Sequence, residues 1–187
     1  RVRSSAASDV YKRQVEDATG VDDDPIYPFE LAVARVAAAA AAAHSGPVPF
    51  VLTARCENFL HGRSDLANTI ARLQAYADAG ADVLFAPGVR EAGEIRALVA
   101  ALERPVNVLV GRGMPPVGEL ASIGVARISV GGAFAFAALG SLVEAAVELR
   151  DQGTYGYAGR TLDGVRAARA AFKPCLLYTS DAADDLT

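Results

Sequence analysis

The chain has 187 residues, 52% of them hydrophobic, with 18 Lys+Arg against 22 Asp+Glu for a net charge of -4, no Trp and two Cys. That length suits one domain with a core of its own. The acidic balance argues against the basic stripe of a nucleic-acid-binding surface, no apolar run is long enough for a bilayer, and two Cys make no disulfide framework, so a cytoplasmic protein is expected.

The two ends are set aside first. Residues 4–14 read SSAASDVYKRQ and residues 175–185 read CLLYTSDAADD. Back-translated, reverse-complemented and read one nucleotide out of frame, the first encodes CLLYTSDAAD. One DNA element thus stands at both ends in opposite orientation, as the inverted end of a transposon-based sequencing adapter would. Residues 1–14 and 175–187 are therefore expected to be non-native, leaving residues 15–174 as the natural part. Trimming removes Arg1, Arg3, Lys12 and Arg13 against Asp9, Asp181, Asp184 and Asp185, so the net charge holds at -4. Cys175 goes with the ends, and Cys56 stands alone.

From Val15 onward, apolar β-type runs alternate with Ala-rich amphipathic segments, the pattern of βα units around a parallel sheet. VEDATG (15–20) reads as a strand tail entering a loop that continues through residues 22–25. A helix is predicted over Phe29–Ala43, built of strong helix formers and stopped by Ser45, Gly46 and Pro47. Its seven-alanine run is expected to form a buried helix face rather than a disordered linker, since Ala packs closely against a sheet. PFVLTAR (49–55) is a short apolar run typical of a strand covered on both faces.

A helix over residues 65–79 follows, with Leu66, Ile70, Leu73 and Ala77 on one stripe and Gly80 just past its end. The cycle repeats through ADVLFAPG as strand, EAGEIRALVAAL as helix, RPVNVLV as strand, PPVGELASIG as helix, VARISVGG as strand and AFAFAALGSLVEAAVELRDQG as helix. About four strand-to-helix units are counted, preceded by one strand end.

Such units build either a doubly wound sheet or a closed barrel, and the dinucleotide fingerprint G-x-G-x-x-G of the former is absent. In SVGGAF, Gly131 and Gly132 fit a phosphate at a helix N-terminus or tight strand–helix packing equally well. In a barrel, reacting groups lie at the C-terminal strand ends. Those positions hold Glu16 and Asp17, Arg55 and Glu57, Ala86 and Pro87, Asn107, Arg112, and Ser129.

Glu16 beside Asp17 offers oxygen ligands to a hard cation such as Mg2+, or is a pair of solvated loop acids. The Arg55 fork suits a carboxylate or phosphonate, or else pairs with Glu57. Cys56 reads as a small buried hydrophobe, since neither His44 nor His61 stands at a triad spacing. Two scattered His and one Cys make no zinc cluster.

At VEDATG, FVLTARCENFL, RLQAYADAGADVLFAPG, RPVNVLV and IGVARISVGGAF, the chain resembles the C-terminal half of the isocitrate lyase/phosphoenolpyruvate phosphonomutase superfamily, over nearly all of residues 15–160. The resemblance implies an α/β fold, the later half of a (β/α)8 TIM barrel, in a homodimer or homotetramer with helix exchange. It also implies Mg2+-dependent cleavage or formation of C–C or P–C bonds in small 2-oxo or phosphonate acids. By position, Glu16 resembles the acid of the family's Glu-Asp motif, which holds Mg2+ through water. Arg55 resembles the Arg that grips the substrate's carboxylate or phosphonate, and Asn107 lies where family lyases begin an Asn-containing substrate motif.

The departures point to a phosphonomutase-like branch. This chain has FAPG where family lyases place a Glu, NVLVGRG where their Asn motif continues Thr-Glu-Phe-Gly, and VEDATGVDDDP in the region of the Lys-Lys-Cys-Gly-His loop. The family's direct metal-binding aspartates precede the Glu-Asp motif, so the chain is expected to be a fragment, inactive as cut. Two other readings stay open: a phosphate-binding aldolase or isomerase barrel, and a degenerate barrel that binds a metabolite without catalysis.

Overall fold

The computed structural model describes residues 12–171; the expectations for residues 1–11 and 172–187 lie outside them. The chain separates into two compact units between Gly131 and Gly132. The first holds five strands: β1 (Lys12–Glu16), β2 (Val51–Arg55), β3 (Val83–Phe85), β4 (Val106–Leu109) and β5 (Arg127–Ser129). Four helices alternate with them: α1 (Phe29–Ala43), α2 (Leu66–Asp78), α3 (Ala92–Ala101) and α4 (Val117–Ile123). The second unit holds α5 (Ala133–Gln152) and α6 (Ala158–Ala171). There Glu148 accepts the Thr154 hydroxyl at 2.7 Å and pins the turn between the two helices. Helix α6 has no counterpart in the sequence reading.

All five strands are parallel and stand in chain order, β1-β2-β3-β4-β5. A doubly wound sheet reverses its order at a switch point and carries helices on both faces. Here one continuous core joins Val36 of α1, Leu73 of α2, Leu98 of α3 and Leu120 of α4 to Leu52, Leu84 and Val106 of the sheet. The helices therefore share one face, which is the wall of a barrel and bears out the expected partial (β/α) architecture. Strand β1 takes in residues 12–14, which pair with Val51, Leu52 and Thr53.

The local reasons are those of the sequence. Helix α1 starts after Pro28 with Glu30 in its first turn, and turns Ala32, Val36 and Ala40 inward at a spacing of four. The Asp65 side chain caps α2 by accepting the Asn68 N–H at 2.9 Å. Gly80 follows at a φ of 103°, and a Cβ there would stand 2.8 Å from the Ala40 Cβ, so α1 and α2 approach through glycine and alanine.

Alternation then divides the sheet. Leu52 and Ala54 face the helices, which leaves Thr53 and Arg55 on the other side. No helix among the described residues is long and apolar enough to cross a membrane.

Candidate active site

Parallel register sets neighbouring strand residues side by side on one face. Glu16 pairs with Arg55, Arg55 with Phe85, Phe85 with Asn107, and Asn107 with Arg127. One row thus crosses the polar face of the sheet near the C-terminal strand ends, and all three sequence-predicted site residues, Glu16, Arg55 and Asn107, lie on it.

Arg55 is held from three sides. Its Nε donates to Glu57 Oε1 at 2.7 Å, its Nη1 stands 3.5 Å from Glu16 Oε2 and 3.4 Å from Gln14 Oε1, and its guanidinium lies 5.1 Å over the Phe85 ring. The Glu57 side chain is 5% exposed against 51% for Glu16. Burial raises the Glu57 carboxyl above its usual range, and the Arg55 charge works against that rise. Of the two readings of Arg55, the pair with Glu57 is present, and the guanidinium is 23% exposed at the rim.

Asn107 is fully buried and belongs to a second cluster on the same row. Its Oδ1 accepts Arg127 Nε at 3.0 Å and the Ser129 hydroxyl at 3.1 Å, while Arg127 Nη2 reaches the Thr53 hydroxyl at 2.9 Å. A guanidinium only donates, so Arg127 fixes the amide with Oδ1 toward itself. Asn107 Nδ2 is left as a buried donor with no partner among the described residues.

Sequence reasoning missed Arg127 and Thr53. An Arg in mid-strand reads as solvent-facing, and only sheet curvature brings β5 within reach of β2. Arg112 lies exposed in the loop after β4 and is not among the paired residues of the row.

Asp17 is neither a solvated loop acid nor an open metal ligand. It is 3% exposed and turns inward. Its Oδ1 accepts the Glu57 N–H at 2.8 Å, and its Oδ2 accepts the Tyr76 hydroxyl at 2.6 Å and Arg72 Nη1 at 3.2 Å. Burial, with Asp17 alongside, pushes the Tyr76 hydroxyl pKa upward. Burial opposes the Arg72 charge, but the Tyr76 and Asp17 partners outweigh it and raise its pKa.

The most deeply buried stripe of α2 is consequently Thr69, Arg72, Leu73 and Tyr76. The predicted stripe shares only Leu73 with it; Leu66, Ile70 and Ala77 are partly buried at its side. Periodicity finds the apolar side of a helix, but not polar groups sealed by a partner far along the chain.

Cys56 is fully buried, and burial pushes its thiol up to about 12, which keeps it protonated and unreactive. His44 pairs with Asp82 at 2.9 Å, and Asp82 also accepts the Leu52 N–H at the N-terminal ends of the strands, away from the rim. The Gly132 backbone stands close to the Phe136 ring, whose nearest atom is 2.7 Å from where a Cβ would be; that ring is exposed and can move aside, so both readings of this glycine stand.

No group of three or more His, Cys, Asp or Glu able to hold a metal ion gathers among the described residues. Glu57 is engaged by Arg55, and Asp17 by Arg72 and Tyr76. Glu16 keeps a half-exposed carboxylate. These residues fit a water-bridged contact to Mg2+ and do not furnish its inner sphere.

A wall of parallel strands in chain order, helices on one face and charged groups in register at the C-terminal rim, defines a (β/α)-barrel protein. The chain belongs to the phosphoenolpyruvate phosphomutase family, whose model matches residues 1–150. It is 52% identical to a candidate lyase/mutase from Burkholderia cenocepacia J2315, with a TM-score of 0.83, covering 87% of this chain and 59% of that one. A candidate phosphonomutase from the same organism is 39% identical, with a TM-score of 0.65 over 71% of this chain and 57% of its own. A phosphonopyruvate hydrolase solved with oxalate and Mg2+ is 25% identical, with a TM-score of 0.63 over 86% of this chain and 62% of its own. The chain spans less than two thirds of the length of each.

Proposed function

We propose that the protein to which this chain belongs is a Mg2+-dependent lyase or mutase, on the phosphonomutase-like side of its superfamily, that makes or breaks a C–C or P–C bond in a small 2-oxo acid. The observation that carries this reading is Arg55: a guanidinium clamped by Glu57 at 2.7 Å, backed by the Phe85 ring, and still 23% exposed at the rim. Protein groups engage Nε and Nη1, and Nη2 is left to donate to a substrate carboxylate or phosphonate. Negative charge that develops on the 2-oxo acid as the bond breaks falls near this fixed cation, which needs no reorganisation to stabilise it.

Asn107 Nδ2 supports the same reading. A buried donor without a partner costs about 1–3 kcal/mol, a cost that an acceptor oxygen of the ligand removes. Glu16 would hold water molecules of a bound Mg2+, whose Lewis acidity polarises the substrate's oxo group. The inner metal ligands then come from outside the described residues, and the chain by itself does not turn over. The whole enzyme assembles as a homodimer or homotetramer.

The test is kinetic. In the full-length enzyme with Mg2+, Arg55→Ala is expected to lower kcat/KM for phosphonopyruvate or oxaloacetate by at least about 100-fold with the fold intact, and Arg55→Lys by less. Unchanged kinetics would remove Arg55 from the site, and turnover by the isolated chain would overturn the reading that it lacks its metal ligands.

A further inference from the structure

The rim groups do not hold themselves in place. Residues 55–57 leave the end of β2 with Arg55 and the buried Glu57 paired on the side away from the helices, while the intervening Cys56 turns into the core. On one side the strand end is tied to the neighbouring strand, where the Cys56 N–H donates to the Phe85 carbonyl at 2.9 Å, and the Arg55 carbonyl and Glu57 N–H face the other way.

Asp17 ties both of these groups. Its peptide N–H donates to the Arg55 carbonyl at 3.2 Å, and its Oδ1 accepts the Glu57 N–H at 2.8 Å. Asp17 is fixed in turn: Oδ2 receives Tyr76 at 2.6 Å and Arg72 at 3.2 Å, and its own carbonyl accepts the Tyr27 N–H at 2.8 Å. Arg72 Nη2 closes the circuit by donating to the Tyr27 carbonyl at 3.1 Å. Just beyond Glu57, Asn58 is pinned to the same helix through Asn68 Oδ1 at 3.0 Å and Thr69 Oγ1 at 3.1 Å. Two strand ends and α2 are thus locked through one buried carboxylate.

We propose that Asp17 is a positioning residue, whose buried carboxylate, gripped by Arg72 and Tyr76, sets residues 55–57 and so aims the Arg55 guanidinium at the substrate. This inference rests on the reading of Arg55 as the substrate anchor. The asymmetry of the two adjacent acids favours it. Glu16 points to the rim and Asp17 to the interior, so neighbouring acids serve different ends: one faces the ligand, and the other holds the group that faces it. A displacement of order 1 Å in such a supporting group is enough to cost a site about 100-fold, because bound geometry is what the site provides.

The probe is oxalate, titrated calorimetrically into the full-length enzyme with Mg2+. In Asp17→Asn, the amide sets an N–H donor against the donor-only Arg72 guanidinium and loses the charge that receives the Tyr76 hydroxyl, while Oδ1 can still accept from Glu57 in shape. The expected result is a folded protein whose oxalate Kd rises about tenfold, with the Glu57 amide resonance shifted and its hydrogen exchange accelerated. In an Arg55→Lys background the same substitution should add little, since the group it aims is already gone.

An unchanged Kd in Asp17→Asn, or a full additive loss on top of Arg55→Lys, overturns the proposal and leaves a merely structural buried pair. If Arg55→Ala itself leaves oxalate binding intact, the functional reading of the site has failed, and that result is seen in its own arm. Should Asp17→Asn fail to fold, Tyr76→Phe decides, since it removes just the hydroxyl, with its 2.6 Å bond to Asp17 and the 3.3 Å bond it accepts from Arg72, and leaves the Asp17–Arg72 and Asp17–Glu57 contacts in place. A Kd rise of about threefold or more supports positioning, and an unchanged Kd refutes it.

Discussion

Arg72→Met tests how much of the fold hangs on the buried network. The substitution keeps a long unbranched stem in α2 and deletes only the guanidinium. Four bonds go with it: to Asp17 at 3.2 Å, Tyr76 at 3.3 Å, the Tyr27 carbonyl at 3.1 Å and Asn68 at 3.3 Å. The side chains of Arg72 and Asp17 are only 8% and 2% exposed, so the abandoned carboxylate cannot turn to water. Breaking a buried pair from one side costs about 3–5 kcal/mol, most of it the uncompensated charge. The other lost bonds add roughly 1 kcal/mol, and the Met stem recovers a similar amount by packing, so a net loss of about 4 kcal/mol is expected.

Against a total stability of about 5–15 kcal/mol and a urea slope of about 2 kcal/mol/M, the unfolding midpoint should fall by about 2 M, followed by far-UV circular dichroism. Adding Asp17→Asn should recover part of that loss, because the stranded charge is then neutral. A midpoint shift below about 0.5 M, or no recovery in the double variant, would refute the view that a charged Asp17–Arg72 pair carries this part of the core.

Cys56 and Gly80 each carry further predictions. Burial, aided by the nearby Asp17 charge, pushes the Cys56 thiol up to about 12, so native protein at pH 8 should resist iodoacetamide and label fully in urea; rapid native labelling, read by mass spectrometry, contradicts this. The unfolded chain ionises Cys56 near its ordinary value of 9.0 while the folded chain keeps the proton. Stability should therefore fall as pH rises from about 9 toward 12, by about 1.4 kcal/mol per pH unit for this group, and Cys56→Ala should flatten that slope. At Gly80, an Ala would meet the Ala40 Cβ at 2.8 Å on a backbone with φ of 103°. Gly80→Ala should cost about 1–3 kcal/mol in thermal melts, with partial rescue by Ala40→Gly, and a stabilised variant would exclude the close approach.

What could be read in advance was what depends on near neighbours in sequence. The bounds of α1 match to the residue because Pro28 at one end and the Ser45, Gly46, Pro47 run at the other are local stops. The Arg55–Glu57 pair was foreseeable at a separation of two residues. The Asp17–Arg72 bond, at a separation of 55, was not, because nothing near Arg72 distinguishes a sealed cation from a solvated one. Arg127 was hidden for the same reason at a separation of 74, since its bond to Thr53 exists only once five strands curve together. In α6, Leu162 and Val165 are the only large apolar residues, which leaves the helical period faint, and its formers were not enough to single it out.

The row of charged groups also shows what defends the register of β2. A slip of one residue would turn Arg55 into the apolar core and bring Ala54 and Cys56 to the rim, since side chains alternate. The apolar pattern resists this only weakly at the strand end, where Thr53, Arg55 and Glu57 alternate with the small residues Ala54 and Cys56. The two Asp17 bonds resist it strongly, because the Arg55 carbonyl and the Glu57 N–H meet one residue only in this register. A buried carboxylate far from water is poor evidence of stability in general, but one that fixes a register earns a structural role by excluding the alternative. The same contact that keeps Cys56 in the core therefore keeps Arg55 out of it, and the chemistry of the rim is specified by a side chain that never reaches the rim.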